Sequence, residues 1–215
     1  MDHGADPCLD LSTDELLTTT RAVRRRLDLS RPVSRDLVRR CLEIAVQAPN
    51  GSNRQPWQWV VVDDPGQRRG VAEVYRGNYE ALVGAAPAEQ LAASDRDLAS
   101  GAHLAAHLHE CPVLVVPCVA GRLDGLSAAD AAGRWGSILP AVWSLQLALR
   151  SRGLGSTWTT LHLHRGGERA VADVLGIPAD DVTQIGLLPL AYTVGTDFRP
   201  ARRGPLDEIV HWDHW

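Results

Sequence analysis

Two apolar runs constrain most strongly how this 215-residue chain can fold. Trp57–Val62 (WQWVVV) and Pro112–Val119 (PVLVVPCV) are rich in β-branched residues and predict buried strands. Between them the chain predicts two helices, 67–82 and 98–109, joined by a stretch of small residues. Because strands and helices do not alternate strictly, an α+β fold is favoured over a doubly wound parallel sheet.

Caps and residue spacing predict the remaining elements. Ser12 with Glu15 forms a capping-box pattern that opens a helix running toward Leu27, and Ser34 is the expected cap of a second helix. The other expected elements are a loop over 121–133, a helix over 134–152 closed by Gly153, a strand over 156–161, a helix over 168–175 and a strand over 184–191.

Composition excludes several classes of mechanism and site. All 22 Lys+Arg residues are arginine, which excludes Schiff-base chemistry, a pyridoxal-phosphate site and a Walker-type phosphate loop. The net charge of −4 argues against a nucleic-acid binder. No signal-peptide pattern is present, no apolar stretch is long enough to cross a bilayer, and no Cys-x-x-Cys spacing occurs. We therefore expect a soluble, reduced, cytoplasmic protein.

Two arginine clusters are candidate anion-binding groups. They contain Arg21, Arg24, Arg25 and Arg26 at the predicted end of the first helix, and Arg199, Arg202 and Arg203 in the tail. Guanidinium groups suit the geometry of a phosphate dianion. For any single arginine, the alternative is a solvated helix end that complements the helix dipole.

A loop of small and amide-bearing residues precedes the first apolar strand. Residues 49–57 read PNGSNRQPW. We expect the backbone N–H groups and short side-chain donors of this loop to be available to a ligand. For Asn50, Gly51 and Ser52 taken singly, ordinary turn chemistry is a sufficient explanation.

The glycine and histidine patterns predict no further site. Gly153 and Gly155 end a helix and lack a third glycine at dinucleotide-fingerprint spacing, so we interpret them as a helix cap. His103 and His107 share a helix face, but the glutamate of a zincin helix is missing, and His162 and His164 merely alternate along a predicted strand. The sequence therefore predicts no metal site, and the absence of a Gly-x-Ser-x-Gly elbow argues against a hydrolase triad.

Over nearly its full length, the chain resembles the FMN-dependent nitroreductase family. The most specific segment is Ala48–Trp57 (APNGSNRQPW), and the other segments follow in the family's order. Those other segments are 20–24, 147–149, 153–158, 175–178 and 200–203.

The resemblance implies an α+β fold with a central mixed, mainly antiparallel sheet flanked by helices. It implies a single FMN-binding domain over 1–215, an interlaced homodimer with one FMN at each interface, a mobile active-site segment at 83–98, and a C-terminal extension at 193–215 that packs on the partner subunit. It assigns the FMN phosphate to Arg21, Arg24, Arg25, Arg202 and Arg203, the flavin ring to Pro49, Asn50, Gly51 and Asn53 of the other subunit, and flavin N5 and O4 to the backbone N–H groups of Thr160 and Leu161.

Three positions depart from the family pattern. Ala22, next to the phosphate-binding arginines, stands where many members have serine, and Thr20 stands where an arginine is common. Asn50 and Gly51 replace the usual pair of serines. The phosphate site is therefore expected to depend more heavily on the tail arginines.

The resemblance implies an NAD(P)H-dependent oxidoreductase that reduces nitroaromatic, quinone or similar electron-poor small molecules by ping-pong hydride transfer. Because the flavin carries the chemistry, no catalytic acid–base side chain is predicted. Two alternatives stay open: a flavin-dependent dehalogenase or flavin-fragmenting member of the same family, and a non-catalytic FMN-sequestering protein. Segment 83–98 contains no aromatic residue that would recognise an iodophenol.

Overall fold

The computed structural model describes residues 8–84 and 96–215. Its helices are α1 (Thr13–Thr19), α2 (Arg35–Ala45), α3 (Pro65–Leu82), α4 (Arg96–His107), α5 (Ala128–Arg150) and α6 (Gly167–Leu175). Its strands are β1 (Leu27–Asp28), β2 (Trp57–Val62), β3 (Val113–Ala120), β4 (Leu154–Ser156), β5 (Val182–Gln184) and β6 (Leu188–Thr193). Of the predicted mobile segment 83–98, residues 85–95 lie outside the described ranges.

One six-stranded sheet lies at the centre of the fold. Strand β3 pairs with β2, β5 and β6, and β6 also pairs with β1 and β4, every pair being antiparallel. Two isolated bridges, Ala22–Ser156 and Gly121–Val182, are parallel. The predicted α+β fold with a mainly antiparallel sheet is therefore confirmed.

Strand β3 is buried on both faces, which explains its unbroken apolar sequence. Leu114, Val116 and Cys118 pack with residues of α3, α4 and α6 on one side of the sheet. Val113, Val115 and Val119 pack with residues of α2 and α5 on the other. Because successive side chains of a strand point to opposite faces, a strand between two helical layers needs apolar residues at every position.

The first helix is shorter than the sequence predicted. It ends at Thr19, whereas the expected helix ran toward Leu27 and carried the arginines at its end. Thr18, Thr19 and Thr20 each donate a hydroxyl hydrogen bond to the carbonyl four residues earlier, and β-branched residues favour extended backbone. The arginine segment therefore lies beyond the helix, with Arg21 before the Ala22 bridge, Arg24 in a bend and Arg25 and Arg26 in a turn, and the helix-dipole interpretation of it is wrong.

Three further boundaries differ from prediction. The predicted loop 121–133 already contains the start of α5, which is capped by the Ser127 hydroxyl accepting from the Asp130 N–H at 3.1 Å. The predicted strand 156–161 is replaced by β4, which ends at Ser156. The predicted strand 184–191 is split into β5 and β6 at Gly186, where an added Cβ would lie 2.1 Å from the Trp158 indole nitrogen.

Among the described residues, no helix combines the length and apolar character that crossing a bilayer would require.

Candidate functional site

The first arginine segment lies beside the tail and beside strand β4. The Val23 N–H donates to the Ser156 carbonyl at 2.8 Å, which holds Ala22 and its neighbours along β4. The Arg21 guanidinium donates to the Arg199 carbonyl at 3.1 Å. The structure thus brings the predicted phosphate-binding residues Arg21 and Ala22 next to the tail that carries Arg202 and Arg203.

A tight turn holds Thr160 and Leu161, the residues expected to face the flavin. They were predicted on a strand, but Leu161–Leu163 forms a short 3-10 turn instead. The Asn78 side-chain amide donates to the carbonyls of Leu161, His162 and His164 at 3.1, 3.2 and 2.8 Å. These hydrogen bonds curl the backbone away from an extended conformation, so the strand prediction is wrong at these residues.

Gly167 packs directly beneath this turn. A Cβ at Gly167 would lie 2.1 Å from the His162 carbonyl oxygen and 2.6 Å from the Asn78 amide nitrogen. Only a residue without a side chain therefore lets helix α6 approach the turn so closely.

His162 is fully buried under the turn, and neither ring nitrogen has a hydrogen-bond partner in the described part of the chain. Burial lowers the pKa of His162 to about 4, and the nearby Gln184 side chain acts weakly in the opposite direction. The imidazole is consequently neutral at physiological pH and fills space beneath Thr160 and Leu161.

Tyr75 of α3 links the turn to the arginines. Its hydroxyl lies 3.3 Å from the Thr159 hydroxyl, directly before the turn. Burial raises the pKa of the Tyr75 phenol, while the Thr159 hydrogen bond and the charge of Arg24 act against that shift. Arg24 therefore lies within electrostatic range of the backbone that leads into Thr160 and Leu161.

The arginines of this region fall into two groups. Arg26 pairs with Asp197 at 2.6 Å and lies over the Phe198 ring, and the buried Arg150 donates to the Thr19 hydroxyl and the Thr196 carbonyl. These two arginines fix the start of the tail. The second group forms no ion pair within residues 8–84 and 96–215; it consists of Arg21, Arg24, Arg25, Arg199, Arg202 and Arg203.

An unpaired group of cations beside a backbone turn is a surface suited to an anion. Like charges brought together repel one another, and a bound phosphate removes that repulsion while accepting charge-assisted hydrogen bonds. The charge on this side of the molecule therefore suits an anionic ligand.

The loop over 49–55 is closed by its own hydrogen bonds. The Gln55 N–H donates to Asn50 Oδ1 at 2.9 Å, and the Gly51 N–H donates to the Ser137 hydroxyl at 3.0 Å. The Asn53 and Arg54 N–H groups donate to the carbonyls of Asn50 and Gly51. The backbone N–H groups of Gly51, Asn53, Arg54 and Gln55 are therefore already hydrogen-bonded, and the expectation that they are free for a ligand is wrong.

The same loop is strained. Ser52, Asn53 and Gln55 have φ values of 53°, 50° and 49°, in the left-handed region that non-glycine residues rarely occupy. Such backbone persists only where the surroundings hold it, and it concentrates at functional sites. Pro49, Gly51 and Asn53 remain exposed at the surface, so the outer face of the loop is open to a ligand or a second chain.

The loop and the arginines lie at different ends of α5. Gly51 is anchored at Ser137 in the first half of the helix, whereas Arg150 at its last residue contacts the tail. At the rise of an α-helix these anchor points are separated by about 20 Å along its axis. Within one chain, the predicted site residues therefore form two separate surfaces.

Sequence reasoning missed the residues that build the turn. Asn78 lies on the buried face of α3 with Val71, Tyr75 and Tyr79. A lone amide in an apolar helical stripe is a recognisable signal, because a buried amide must find hydrogen-bond partners. No comparable signal marks Tyr75, whose position is that of an ordinary core aromatic residue. For metal binding, the described residues contain no group of three or more His, Cys, Asp or Glu side chains arranged to hold an ion.

Taken together, the antiparallel sheet, the two helical layers and the cationic turn define a nitroreductase-like α+β protein. The sequence profile of the nitroreductase family matches residues 17–195, and the chain belongs to that family.

Known relatives extend the comparison over almost the whole chain. It is 32% identical over 220 residues to an NADH dehydrogenase of Thermus thermophilus, covering 96% of this chain and 97% of the relative. It is 33% identical over 182 residues to a 5,6-dimethylbenzimidazole synthase of Rhodospirillum rubrum, covering 81% and 79%. The family and the first relative support an oxidoreductase.

A solved structure shows the same fold. The FMN and NADPH-dependent nitroreductase NfnB of Sphigopyxis sp. strain HMH is similar with a TM-score of 0.71 at 24% identity. The similarity covers 95% of this chain and 100% of the NfnB chain.

Proposed function

We propose that this protein is an FMN-dependent NAD(P)H oxidoreductase that reduces nitroaromatic, quinone or similar electron-poor small molecules. The carrying observation is a group of arginines without ion pairs in the described ranges, in a chain of the nitroreductase family. Of these arginines, Arg21 contacts the tail backbone, and Arg24 acts electrostatically on Tyr75, whose hydroxyl lies beside Thr159 at the start of the Thr160–Leu161 turn. FMN combines a phosphate with a flat ring that accepts hydrogen bonds at its edge, so a cationic cluster beside a backbone turn fits it.

Each part of this surface has a role toward the cofactor. The guanidinium groups of Arg21, Arg24, Arg25, Arg202 and Arg203 bind the phosphate, and the small side chain of Ala22 leaves room beside them. The N–H of Thr160 makes no hydrogen bond within the described part of the chain, and that of Leu161 makes only a long one of 3.4 Å to the Thr159 hydroxyl. These two donors would hold the edge of the flavin ring near N5 and O4.

When bound, FMN would supply the hydride-transfer chemistry between NADH or NADPH and the acceptor, in two alternating half-reactions at one site. The protein contributes position and electrostatics. A backbone N–H near the ring stabilises negative charge there without a proton-transfer side chain, which is why we assign no catalytic acid or base.

A homodimer completes the site in this proposal. The loop residues Pro49, Asn50, Gly51 and Asn53 lie about 20 Å along α5 from the arginine surface of the same chain. A second copy can supply its loop to the flavin held by the first. The exposed apolar side chains of the tail support such an assembly, because a soluble chain seldom leaves several large ones in water; they are Leu206, Ile209, Trp212 and Trp215.

Spectroscopy of the purified protein tests the cofactor and the reaction. We expect a yellow protein whose flavin absorbance is bleached by NADH or NADPH under anaerobic conditions and restored by a nitroaromatic or a quinone over many cycles. A colourless protein that does not take up added FMN would refute the cofactor assignment. Binding without repeated turnover would instead identify an FMN-sequestering protein.

A second candidate function follows from the relative in Rhodospirillum rubrum. Its similarity to this chain, 33% identity over 81% of the chain, favours a flavin-fragmenting reaction, although the first relative covers more of the chain. Incubation of the reduced holoprotein with oxygen, followed by mass spectrometry for 5,6-dimethylbenzimidazole, separates the two functions. Appearance of that product in stoichiometric yield would replace the reductase proposal.

The oligomeric state is tested by sedimentation equilibrium of the full chain and of a chain that ends at Thr193. We expect the full chain to be a dimer and the shortened chain to lose both dimerisation and FMN retention. A monomeric full chain that still holds FMN would exclude a site shared between subunits.

A further inference from the structure

A cavity of about 360 Å³ lies between the strained loop and the first half of α5. Such a volume is within the range of small-molecule sites. Its polar lining comes from residues of the loop and of the helix: Gly51, Ser52, Arg54, Asp130, Arg134 and Ser137.

The cavity carries an excess of positive charge. Arg54 and Arg134 both line it, and Asp130 is its one carboxylate among the described lining residues. That carboxylate accepts the Ser127 hydroxyl at 2.6 Å at the helix cap. Neither arginine forms an ion pair with any residue of the described ranges.

The Arg134 side chain and the Arg54 backbone are held before any ligand arrives. Arg134 donates from Nη1 to the Ala120 carbonyl at 3.2 Å, which leaves the rest of its guanidinium fork for another acceptor. Arg54 lies between Asn53 and Gln55, whose left-handed backbone is fixed by the loop's hydrogen bonds. Little freedom of the Arg54 backbone is therefore lost when a ligand binds, which favours affinity.

We propose that Arg54 and Arg134 form a specificity site for a carboxylate or phosphate of a molecule that reacts at the flavin. This inference rests on the proposed function, because Gly51 belongs both to the cavity wall and to the loop assigned to the flavin ring. The anionic group comes either from the electron acceptor, as an aromatic carboxylate, or from the phosphates of the dinucleotide donor. A guanidinium fork suits both groups.

Paired substrates distinguish the two sources. The acceptor arm compares 4-nitrobenzoate with the neutral 4-nitrobenzyl alcohol, and the donor arm compares NADH and NADPH with the phosphate-free N-benzyl-1,4-dihydronicotinamide. The variants are Arg54→Gln and Arg134→Gln. Arg39→Gln is the matched control, because it removes an arginine that pairs with Glu43 on the outer surface of α2.

For the substrate whose anionic group binds the cavity, we expect kcat/KM to fall by about tenfold or more in both cavity variants, because charge-assisted hydrogen bonds to a guanidinium are lost. The neutral partner should change less than twofold, and Arg39→Gln should change neither. A loss confined to NADPH assigns the 2′-phosphate, and a loss with both dinucleotides assigns the pyrophosphate. Equal effects on charged and neutral members of both pairs would overturn the proposal.

A binding measurement keeps this test separate from the proposed function. Equilibrium dialysis of the purified full chain against benzoate and against the pyrophosphate ion needs no turnover. Binding of either ion that is weakened in Arg54→Gln and Arg134→Gln, but not in Arg39→Gln, supports the site even if no acceptor is reduced. If the wild type and the cavity variants bind both ions equally, or bind neither, while the acceptors are still reduced, this inference is refuted and the proposed reductase function is not.

Discussion

Two regions of the proposed cofactor site, the Thr160–Leu161 turn and the arginines of segments 21–25 and 199–203, differ in how the chain holds them. The Thr160–Leu161 turn is packed from below by His162 and Gly167 and is tied to α3 by three hydrogen bonds from Asn78. Arg21, Arg25, Arg199, Arg202 and Arg203 are exposed and Arg24 is half-buried, and all six lack ion pairs in the part of the chain that the structure describes. Packing therefore stabilises the turn, whereas the arginines repel one another and, in the proposed function, serve to bind the phosphate.

Substitution of Gly167 by alanine is the severest test of the packed part. The new Cβ would meet the His162 carbonyl at 2.1 Å, so the turn or helix α6 must move. We expect the free energy of unfolding to fall by about 4 kcal/mol in urea denaturation. The control is Gly136→Ala in α5, where a Cβ meets nothing within 4 Å and alanine favours the helix. Equal stability of the two variants would show that the turn is loosely packed.

The buried imidazole predicts a pH dependence of stability. The folded pKa of His162 is lowered to about 4 from an ordinary value of 6.5, so the unfolded chain binds the proton more readily. The contribution of the neutral imidazole to the free energy of unfolding is complete above pH 6.5 and is lost as the pH falls toward 4. From the size of the shift we expect that loss to be about 3 kcal/mol.

The variant His162→Leu should lack this component, so the difference in unfolding free energy between it and the wild type should change across the same pH window. Nuclear magnetic resonance titration of the His162 ring gives the pKa directly. A ring that titrates near 6.5 would mean that solvent reaches beneath the turn.

Substitution of an exposed arginine should separate binding from stability. Arg203→Ala removes a charge-assisted hydrogen bond to the proposed phosphate, and we expect FMN binding to weaken by about 2 kcal/mol. The unfolding free energy of the FMN-free protein should stay within about 0.5 kcal/mol of the wild type, as is usual for surface substitutions. Arg39→Ala is the control for loss of charge elsewhere. Unchanged FMN retention in Arg203→Ala would remove the tail from the binding surface.

Tyr75 lies between the two parts and should show the smallest effect on each. The variant Tyr75→Phe loses the 3.3 Å contact with the Thr159 hydroxyl while keeping the buried ring. We expect about 1 kcal/mol of lost stability and a comparably small loss of FMN affinity, measured by urea denaturation and by fluorescence titration. A change in only one of these quantities would show that packing and binding are not coupled through Tyr75.

The parts of the fold with their own residue pattern were predictable. Strand β2 spans the same residues that the sequence predicted, and β3 and α2 agree closely, because each carries a complete apolar period. Strands β1, β4 and β5 have only two or three residues, and distant partners rather than local preference create them. Helix α1 ended early because three threonines favoured extended chain over a helix that the capping box alone could not continue.

The candidate site was predictable in composition but not in geometry. The arginines and the loop were recognised by resemblance, yet nothing local indicates that the Arg21 guanidinium reaches the Arg199 carbonyl. The loop's donors looked free because the sequence does not show that the loop folds back on Asn50 and Gly51, or that the distant Ser137 hydroxyl accepts from the Gly51 N–H. The turn at Thr160 depends on Asn78, and an amide on a helix does not reveal in the sequence which carbonyls it will bind.

The chain end has a practical consequence. Trp212 and Trp215 are 81% and 99% exposed, whereas Trp57 is buried in the core. Indole emission shifts to shorter wavelength when the ring leaves water, so in the proposed dimer the tail tryptophans would report whether the tail docks on the partner subunit. A dilution series followed by fluorescence tests that proposal without any attached dye.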